Sequence, residues 1–387
     1  MAKGIVFTRL TVFDDNFNMY PGIKELFENL NSDDHVIIVI SHDSDSISTM
    51  TNIFKETFEF EVRCSYRKAI REYVNEKNAS DFILVGSSDE DLILAANKKV
   101  LIINPGWSVK QDEKPARYGI TLERPSQLVE AVRIIDNQNR WYYKLVVDEK
   151  TTVLALTSAN TKNRDVVHSE KEVLEGFEKS LKSGNRRYFN TLYFHLISGV
   201  MKSQDLREVE LWGIFPSSSG QINKEVEELK ERCRYLTGKR MNEPLFIRHT
   251  QVNKSHHTDY NTRLQVGCIK HFNSIVLNPY YSKRIKGKVV CVIDDYVTNG
   301  TSFETARNLL LKAGAKKVIL VALGRFRRGH QGVYQQEVYD LNGDITKPGY
   351  QYNLKYKKNL NEGLYDSSAR DEIRQIYAIL NGEHIGN

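Results

Sequence analysis

The stretch VVCVIDDYVTNGTSFETARNLLLKAG, Val289 to Gly314, decides how the chain is read. Val289 to Ile293 form an unbroken apolar run, the pattern of a strand covered on both faces in a parallel sheet. Asp294 and Asp295 follow at the expected carboxyl end of that strand, which is where open α/β sheets bind ligands. TNGTS then makes a turn in which Gly300 is free to adopt a left-handed conformation, and Phe303, Ala306, Leu310 and Ala313 recur at helical spacing up to Gly314. Thr301, with Glu304 three residues on, has the spacing of a capping box and marks the expected helix start.

A helix opening from a small-residue loop offers free N–H groups and the positive end of its dipole to an anion. The hydroxyls of Thr298, Thr301 and Ser302 can donate to the same oxygens. Two carboxylates beside such a site suit the hydroxyls of a sugar, or the waters of a Mg²⁺ carried in by the ligand. Taken alone, Asp-Asp before a glycine turn would only end a strand; the ordered whole predicts a sugar-phosphate cradle. With four apolar residues, two acids, two spacers and then TNGTS, the segment resembles the phosphoribosyl pyrophosphate (PRPP) motif of type I phosphoribosyltransferases. The resemblance implies PRPP binding by Asp294, Asp295, Thr298, Asn299, Gly300, Thr301 and Ser302, with Mg²⁺ arriving on PRPP. Some purine-salvage members carry an acid at the position of Thr298; here, as in orotate- and competence-F-type members, it is threonine, so the loop holds no base of its own.

Such a domain needs an earlier strand ending in a small diphosphate-binding loop, and VELWGIFPSSSG (Val209 to Gly220) is the candidate. Ser217, Ser218, Ser219 and Gly220 can turn amides and hydroxyls towards a diphosphate before the next helix; PSSSG by itself is more often a plain turn, and its placement ahead of the PRPP motif reverses that reading. Between the two loops, FIRHTQVNKSHHTDYNTR crowds Arg248, His249, Lys254, His256, His257 and Arg263 together. That charge is either a solvated face or a source of cations for a departing pyrophosphate, with Arg248, Lys254 and Arg263 the candidates. Arg248, Gln251 and Arg263 stand in the order found in competence-F-like members. The implied chemistry is displacement of pyrophosphate from the ribose by a nucleobase-like small-molecule acceptor, helped by Mg²⁺; the alternative is a PRPP- or nucleotide-sensing regulatory protein that keeps the pocket without turnover. A hood drawn from Trp141 to Lys202 or from the tail would choose the acceptor.

Upstream, apolar runs alternate with amphipathic stretches from GIVF through VLIIN, the rhythm of successive βα units. GIVFTRLTVFDDNFNMYPGIKELFENL resembles the opening of haloacid dehalogenase-like phosphatases, with Ser41 as a second motif, Lys68 as a third and GSSDEDLILA (Gly86 to Ala95) as a fourth. Thr8 stands at the nucleophile position, Leu10 at the acid/base position and Ser87 at the first acid of the fourth motif; Asp91 alone remains. A carboxylate is needed both to attack phosphorus and to hold Mg²⁺, and Asp14 and Asp15 fall beyond the strand in a loop or cap. The expected role is therefore packing, dimerisation or ligand sensing, with phosphatase activity discounted.

The expected fold is α/β in two domains: a Rossmann-like domain over residues 1–137, ending in the polar run DNQNR, and a phosphoribosyltransferase-type parallel-sheet domain with hood and tail over residues 138–387. A chain of 387 residues is long enough for two cores. Its 40% hydrophobic and 27% charged residues, with no run approaching the roughly 18 apolar residues of a membrane helix, exclude a spanning protein. The opening MAKGIVFTRL lacks a signal-peptide core, and four scattered cysteines outside any CxxC pair fit a reduced cytoplasm and disfavour zinc. A net charge of +6 suits an anionic small molecule, and nucleic acid is not indicated.

Overall fold

The apolar runs near the start of the chain become buried strands, because only a strand covered on both faces can hide side chains that do not alternate with polar ones. The computed structural model describes residues 2–137, 141–161, 168–184, 186–238, 240–241, 243–252, 265–326 and 333–382. Strands β1 (Gly4–Thr8), β2 (Val36–Ser41), β3 (Arg63–Tyr66), β4 (Phe82–Val85), β5 (Leu101–Pro105) and β6 (Ile120–Leu122) form one parallel sheet in the order β3-β2-β1-β4-β5-β6. They alternate with helices α1 (Ile23–Ser32), α2 (Ser44–Thr57), α3 (Arg67–Tyr73), α4 (Asp89–Lys98) and α5 (Glu113–Tyr118), and α6 (Pro125–Asn137) follows β6. The strand order reverses direction around β1 and β4, so their carboxyl ends form the crevice of this sheet.

A second six-stranded sheet has the order β16-β7-β8-β13-β12-β9. Its strands are β7 (Tyr143–Asp148), β8 (Thr151–Ser158), β9 (Leu211–Ile214), β12 (Val289–Val297), β13 (Lys317–Arg325) and β16 (Leu364–Tyr365). β8, β13, β12 and β9 run parallel, while β7 and β16 pair antiparallel at one edge. Helices α7 (His168–Ser183), α8 (Phe189–Lys202), α9 (Lys224–Thr237), α10 (Thr301–Lys312) and α11 (Ala369–Asn381) complete it. The chain is thus α/β, with one wholly parallel sheet and one mixed sheet.

The central strands of the second sheet divide two cores by strict alternation. Cys291 and Ile293 of β12, with Ile319, Val321 and Leu323 of β13, point into one; Val290 and Val292, with Val318, Leu320 and Ala322, point into the other. The first of these cores runs without a break into the first sheet, through α6, α8, α9 and α11. Gln127 donates to the Ile379 carbonyl at 2.6 Å, Lys99 to the Arg207 carbonyl at 2.6 Å, and Tyr118 stacks on Tyr235 at 4.0 Å between ring centroids.

The parallel sheet expected for residues 138–387 is thus mixed, and PLFIRH and SIVL lie outside it: β10 (Phe246–Arg248) and β11 (Ile275–Leu277) pair antiparallel as a separate ribbon. The segment after Arg325, weak in pattern, forms a long hairpin of β14 (Tyr334–Asn342) and β15 (Gln351–Leu360). β14 is buried against α10 whereas β15 is largely exposed, so the second strand carries polar residues on both faces and hides its periodicity.

Because one core serves both sheets, Ile376→Ala, at a fully buried position of α11, is expected to cost about 2–5 kcal/mol. Calorimetry should register a single unfolding transition that moves as a whole; two transitions, only one of them shifted, would contradict the shared core.

Candidate functional site

β12 is bonded to β9 only as far as Ile293, opposite Ile214, while its pairing with β13 continues to Val297. From Asp294 onwards one edge of the strand is therefore open, and the Pro216 to Gly220 loop leaves β9 at that point. Asp294 keeps some accessible surface, but protein surrounds its carboxyl group. Burial, then the neighbouring Asp295 carboxylate, pushes the Asp294 carboxyl well above the usual range, while Arg248 pulls it back. Each carboxylate accepts from the next backbone amide, Asp294 from Asp295 N at 3.0 Å and Asp295 from Tyr296 N at 2.7 Å.

Gly300 caps α10 with φ +88°, a left-handed conformation, and a Cβ there would lie 2.3 Å from the Tyr334 ring. No side chain caps the helix, so its first-turn amides face the loop. The expected capping box does not form. Thr301 Oγ1 donates to Asn299 Oδ1 at 3.1 Å, and Glu304 turns into the core, fully buried, accepting from Tyr334 OH at 2.7 Å, Arg307 Nη1 at 3.0 Å and Glu337 N at 3.1 Å. Arg307 in turn donates to Asp148. Burial pushes the Glu304 carboxyl up to about 7 in spite of these donors. The carbonyl of Thr298 accepts from Arg325, a fully buried residue whose guanidinium lies 4.6 Å from the centre of the Tyr143 ring and donates from Nε to Tyr365 OH at 3.2 Å. Arg325 escapes sequence reasoning; its only signal is a charge closing the apolar run VILVALG.

Three of the segments singled out from sequence converge here. Arg248 reaches beneath the serine loop, donating from Nε to the Ser217 carbonyl at 2.6 Å, from Nη2 to the Pro216 carbonyl at 3.1 Å and from Nη1 to Ser274 Oγ at 2.7 Å. Burial lowers its own pKa to about 10, and burial first, with the Arg248 charge second, brings His271 down to about 3. Through these three contacts Arg248 ties the serine loop to β10 and to Ser274, on the side of the loop where Asp294 lies within reach of its charge. In the loop, Ser217 Oγ donates to the Gln221 carbonyl at 2.6 Å and lies 3.1 Å from Ser219 Oγ, while Gly220 N donates to the Ser217 carbonyl at 3.0 Å. Helix α9 begins only at Lys224 and is capped by Asn223, so its end does not serve this loop. Lys254, His256, His257 and Arg263 lie outside the described residues.

At the first sheet's crevice, Thr8 Oγ1 donates to Asp91 Oδ2 at 3.2 Å, and Ser87 N and Ser88 N donate to the same oxygen at 3.0 Å. Arg67 donates to the other oxygen. The cationic partner is thus Arg67 and not Lys68, which is exposed and pairs with Glu72. Asp14 is taken up by the amides of Asn16 and Asn18 and the side chain of Asn18, which hold its carboxyl below the usual range, and Asp15 pairs with Lys110 at 2.8 Å.

No protein-family model matches the chain, and no curated protein matches it. Among solved structures it is similar to a D,D-heptose 1,7-bisphosphate phosphatase from Burkholderia thailandensis, at 18% identity over 27% of this chain and 77% of that one, with a TM-score of 0.23. A likeness so slight says nothing of this chain's own reaction. That neighbour is by name a phosphatase and not a phosphoribosyltransferase. The expectation of a transferase enzyme is withdrawn on this comparison, and transfer is not carried forward. No helix among the described residues is long and apolar enough to cross a membrane.

The buried Glu304 gives this site a signature in stability. Its folded value of about 7 lies above the ordinary 4.5, so its favourable contribution is complete below about pH 4.5 and is lost as pH rises through 7. The stability difference between wild type and Glu304→Gln should therefore change by on the order of 3 kcal/mol across that interval, measured by denaturant unfolding at stepped pH. A difference independent of pH would show that Glu304 ionises normally in the fold.

Proposed function

We propose that the loop from Asp294 to Ser302 binds a phosphorylated ribose, either PRPP or a nucleotide, and that the chain works as a sensor or regulatory protein responding to that ligand. The observation that carries this reading is the uncapped start of α10, entered through Gly300 in a left-handed conformation, beside the Asp294-Asp295 pair. Amides and helix dipole suit a phosphate; the carboxylates suit ribose hydroxyls. In this reading the second sheet is a phosphoribosyltransferase-type binding domain, and the first is a haloacid dehalogenase-type domain whose crevice is filled by the Asp91–Arg67 pair.

Mg²⁺ fits as a passenger on the ligand's diphosphate. Asp294 and Asp295 are two adjacent acids, the Asp294 carboxyl being pushed above its usual range by burial and then by Asp295, and they suit an ion's waters better than direct ligation. When bound, the ion would neutralise the diphosphate, and Asp294 and Asp295 would accept from its waters or from the sugar. The protein's own residues hold the loop: Arg325 fixes Thr298 from below and Arg248 fixes the serine loop opposite.

Titration calorimetry with PRPP, ribose 5-phosphate and a nucleoside monophosphate, each with and without Mg²⁺, tests the proposal. Binding is expected for at least one of them, weakened by tenfold or more in Asp294→Asn/Asp295→Asn and by Gly300→Val. Binding unaffected by either change would rule out the loop. Phosphate release from sugar phosphates that survives loss of Asp294 and Asp295 would move the activity to the first sheet.

A further inference from the structure

The net charge of +6 conceals a segregation along the chain. Between Tyr260 and Gln336 stand thirteen lysines and arginines and only three acids, Asp294, Asp295 and Glu304. The first two belong to the ligand loop and the third is buried, so this segment supplies no carboxylate to the amino ends of β12 and β13. Two basic turns are bonded together there: SKRIKGK (Ser282 to Lys288), which leads into β12, and LKAGAKK (Leu311 to Lys317), which leads from α10 into β13. Gly287 N donates to the Gly314 carbonyl at 2.9 Å, and Lys316 N to the Lys288 carbonyl at 2.8 Å. Gly314 is left-handed, with φ +87°, and a Cβ there would lie 3.3 Å from Lys286 Cγ, so the Lys286 stem crosses the turn that carries Lys312 and Lys316.

Three cations of the cluster are taken up: Lys288 pairs with Glu210 at 2.7 Å, Lys317 with Asp205 at 2.6 Å, and the Arg284 guanidinium lies 4.0 Å from the centre of the Tyr280 ring. Lys283, Lys286, Lys312 and Lys316 are exposed, and among the described residues no carboxylate pairs with them. The dipole of α10 accounts for Lys312 in its last turn, but not for the other three. We infer that this face binds the phosphate backbone of a nucleic acid. Like charges gathered on two bonded turns repel one another, and a row of phosphates relieves that repulsion while releasing its own counterions. Lysine is a point charge on a flexible stem, without the planar fork that reads a base edge, so the contact is with phosphates and is independent of sequence. Neither turn exposes a large apolar side chain, since Ile285 is buried and Leu311 half-buried, so nothing here enters the apolar part of a lipid surface.

The probe is a fluorescein-labelled duplex of about 20 base pairs, titrated with the full chain and followed by anisotropy. Binding is expected at low salt, equally for two unrelated sequences, with log K falling against log salt at a slope of about −3 to −4, near 0.9 for each phosphate met by a lysine. Lys283→Glu/Lys286→Glu/Lys312→Glu/Lys316→Glu should bind at least tenfold more weakly. The same four lysines changed to Gln should also weaken binding and flatten the slope, which keeps the test open if the first variant folds poorly. Four exposed lysines elsewhere, in Lys24→Glu/Lys55→Glu/Lys77→Glu/Lys179→Glu, should matter far less. Equal loss in the two Glu variants would reduce the effect to net charge and overturn the inference, as would no binding, or binding untouched by either change at the cluster. Displacement of the duplex by polyglutamate at equal charge would assign the face to an acidic protein, and sedimentation with phosphatidylserine vesicles in place of duplex binding would assign it to a membrane; either result rules the inference out. An excess of a nucleoside monophosphate should leave the duplex bound, since the ligand loop lies at the far end of β12; displacement would move the duplex to that loop.

Discussion

The rest of the second half depends on one constraint: β12 is buried on both faces, each in a different core. Cys291 and Ile293 cannot exchange sides with Val290 and Val292 without carrying a whole row of side chains out of its core, so a register slip of one residue is excluded. The same alternation is repeated in β13, which locks the pair. With the strand fixed in this way, the first polar residue, Asp294, has to emerge where β9 stops pairing. The position of the carboxylates follows from packing among hydrophobic residues some distance below them.

The loop beyond them is held by buried charge. Glu304, Arg307 and Arg325 each lose hydration on burial, a penalty that proteins tolerate only when partners are supplied. Glu304 has Tyr334, Arg307 and the Glu337 amide; Arg325 has the Thr298 carbonyl, the Tyr365 hydroxyl and the Tyr143 ring. These contacts tie the helix start to the hairpin on one side and to the sheet edge on the other. Tyr334 serves twice, since its ring also occupies the space that any side chain at residue 300 would need. A loop restrained at both ends by such pairs can present its amides without first paying to order them, which is what a small anion site requires.

Much of this was legible in the sequence because it rests on local pattern. The apolar run, the acids, the glycine and the helical spacing of Val289 to Gly314 all report on neighbouring residues, and both sheets follow from repeated βα units. What was not legible rests on contacts distant in sequence. Thr301 and Glu304 have capping-box spacing, yet Tyr334, thirty residues on, draws Glu304 inward. Nothing near Arg248 in the sequence foretells that it meets the Pro216 and Ser217 carbonyls. Lys68 and Arg67 are adjacent and chemically alike; only the turn of α3 at the end of β3 decides which one meets Asp91. The β14–β15 hairpin hides for a different reason, since β15 has no buried face to impose alternation.

The two crevices illustrate how the charge a site keeps for itself determines what it can accept. Above β1, the carboxylate of Asp91 accepts from two backbone amides, the Thr8 hydroxyl and the Arg67 guanidinium, so its oxygens are already saturated by the protein. A divalent cation entering there would have to displace a guanidinium from a nearly buried carboxylate, leaving an unpaired charge behind. At the end of β12 the situation is the reverse: the helix amides carry no side-chain cap, and the nearby guanidinium of Arg248 is directed at loop carbonyls. The first crevice satisfies its own electrostatics; the second leaves a helix end without a side-chain cap beside two acids, and under the proposed function a ligand anionic at one end and rich in hydroxyls at the other would complete it.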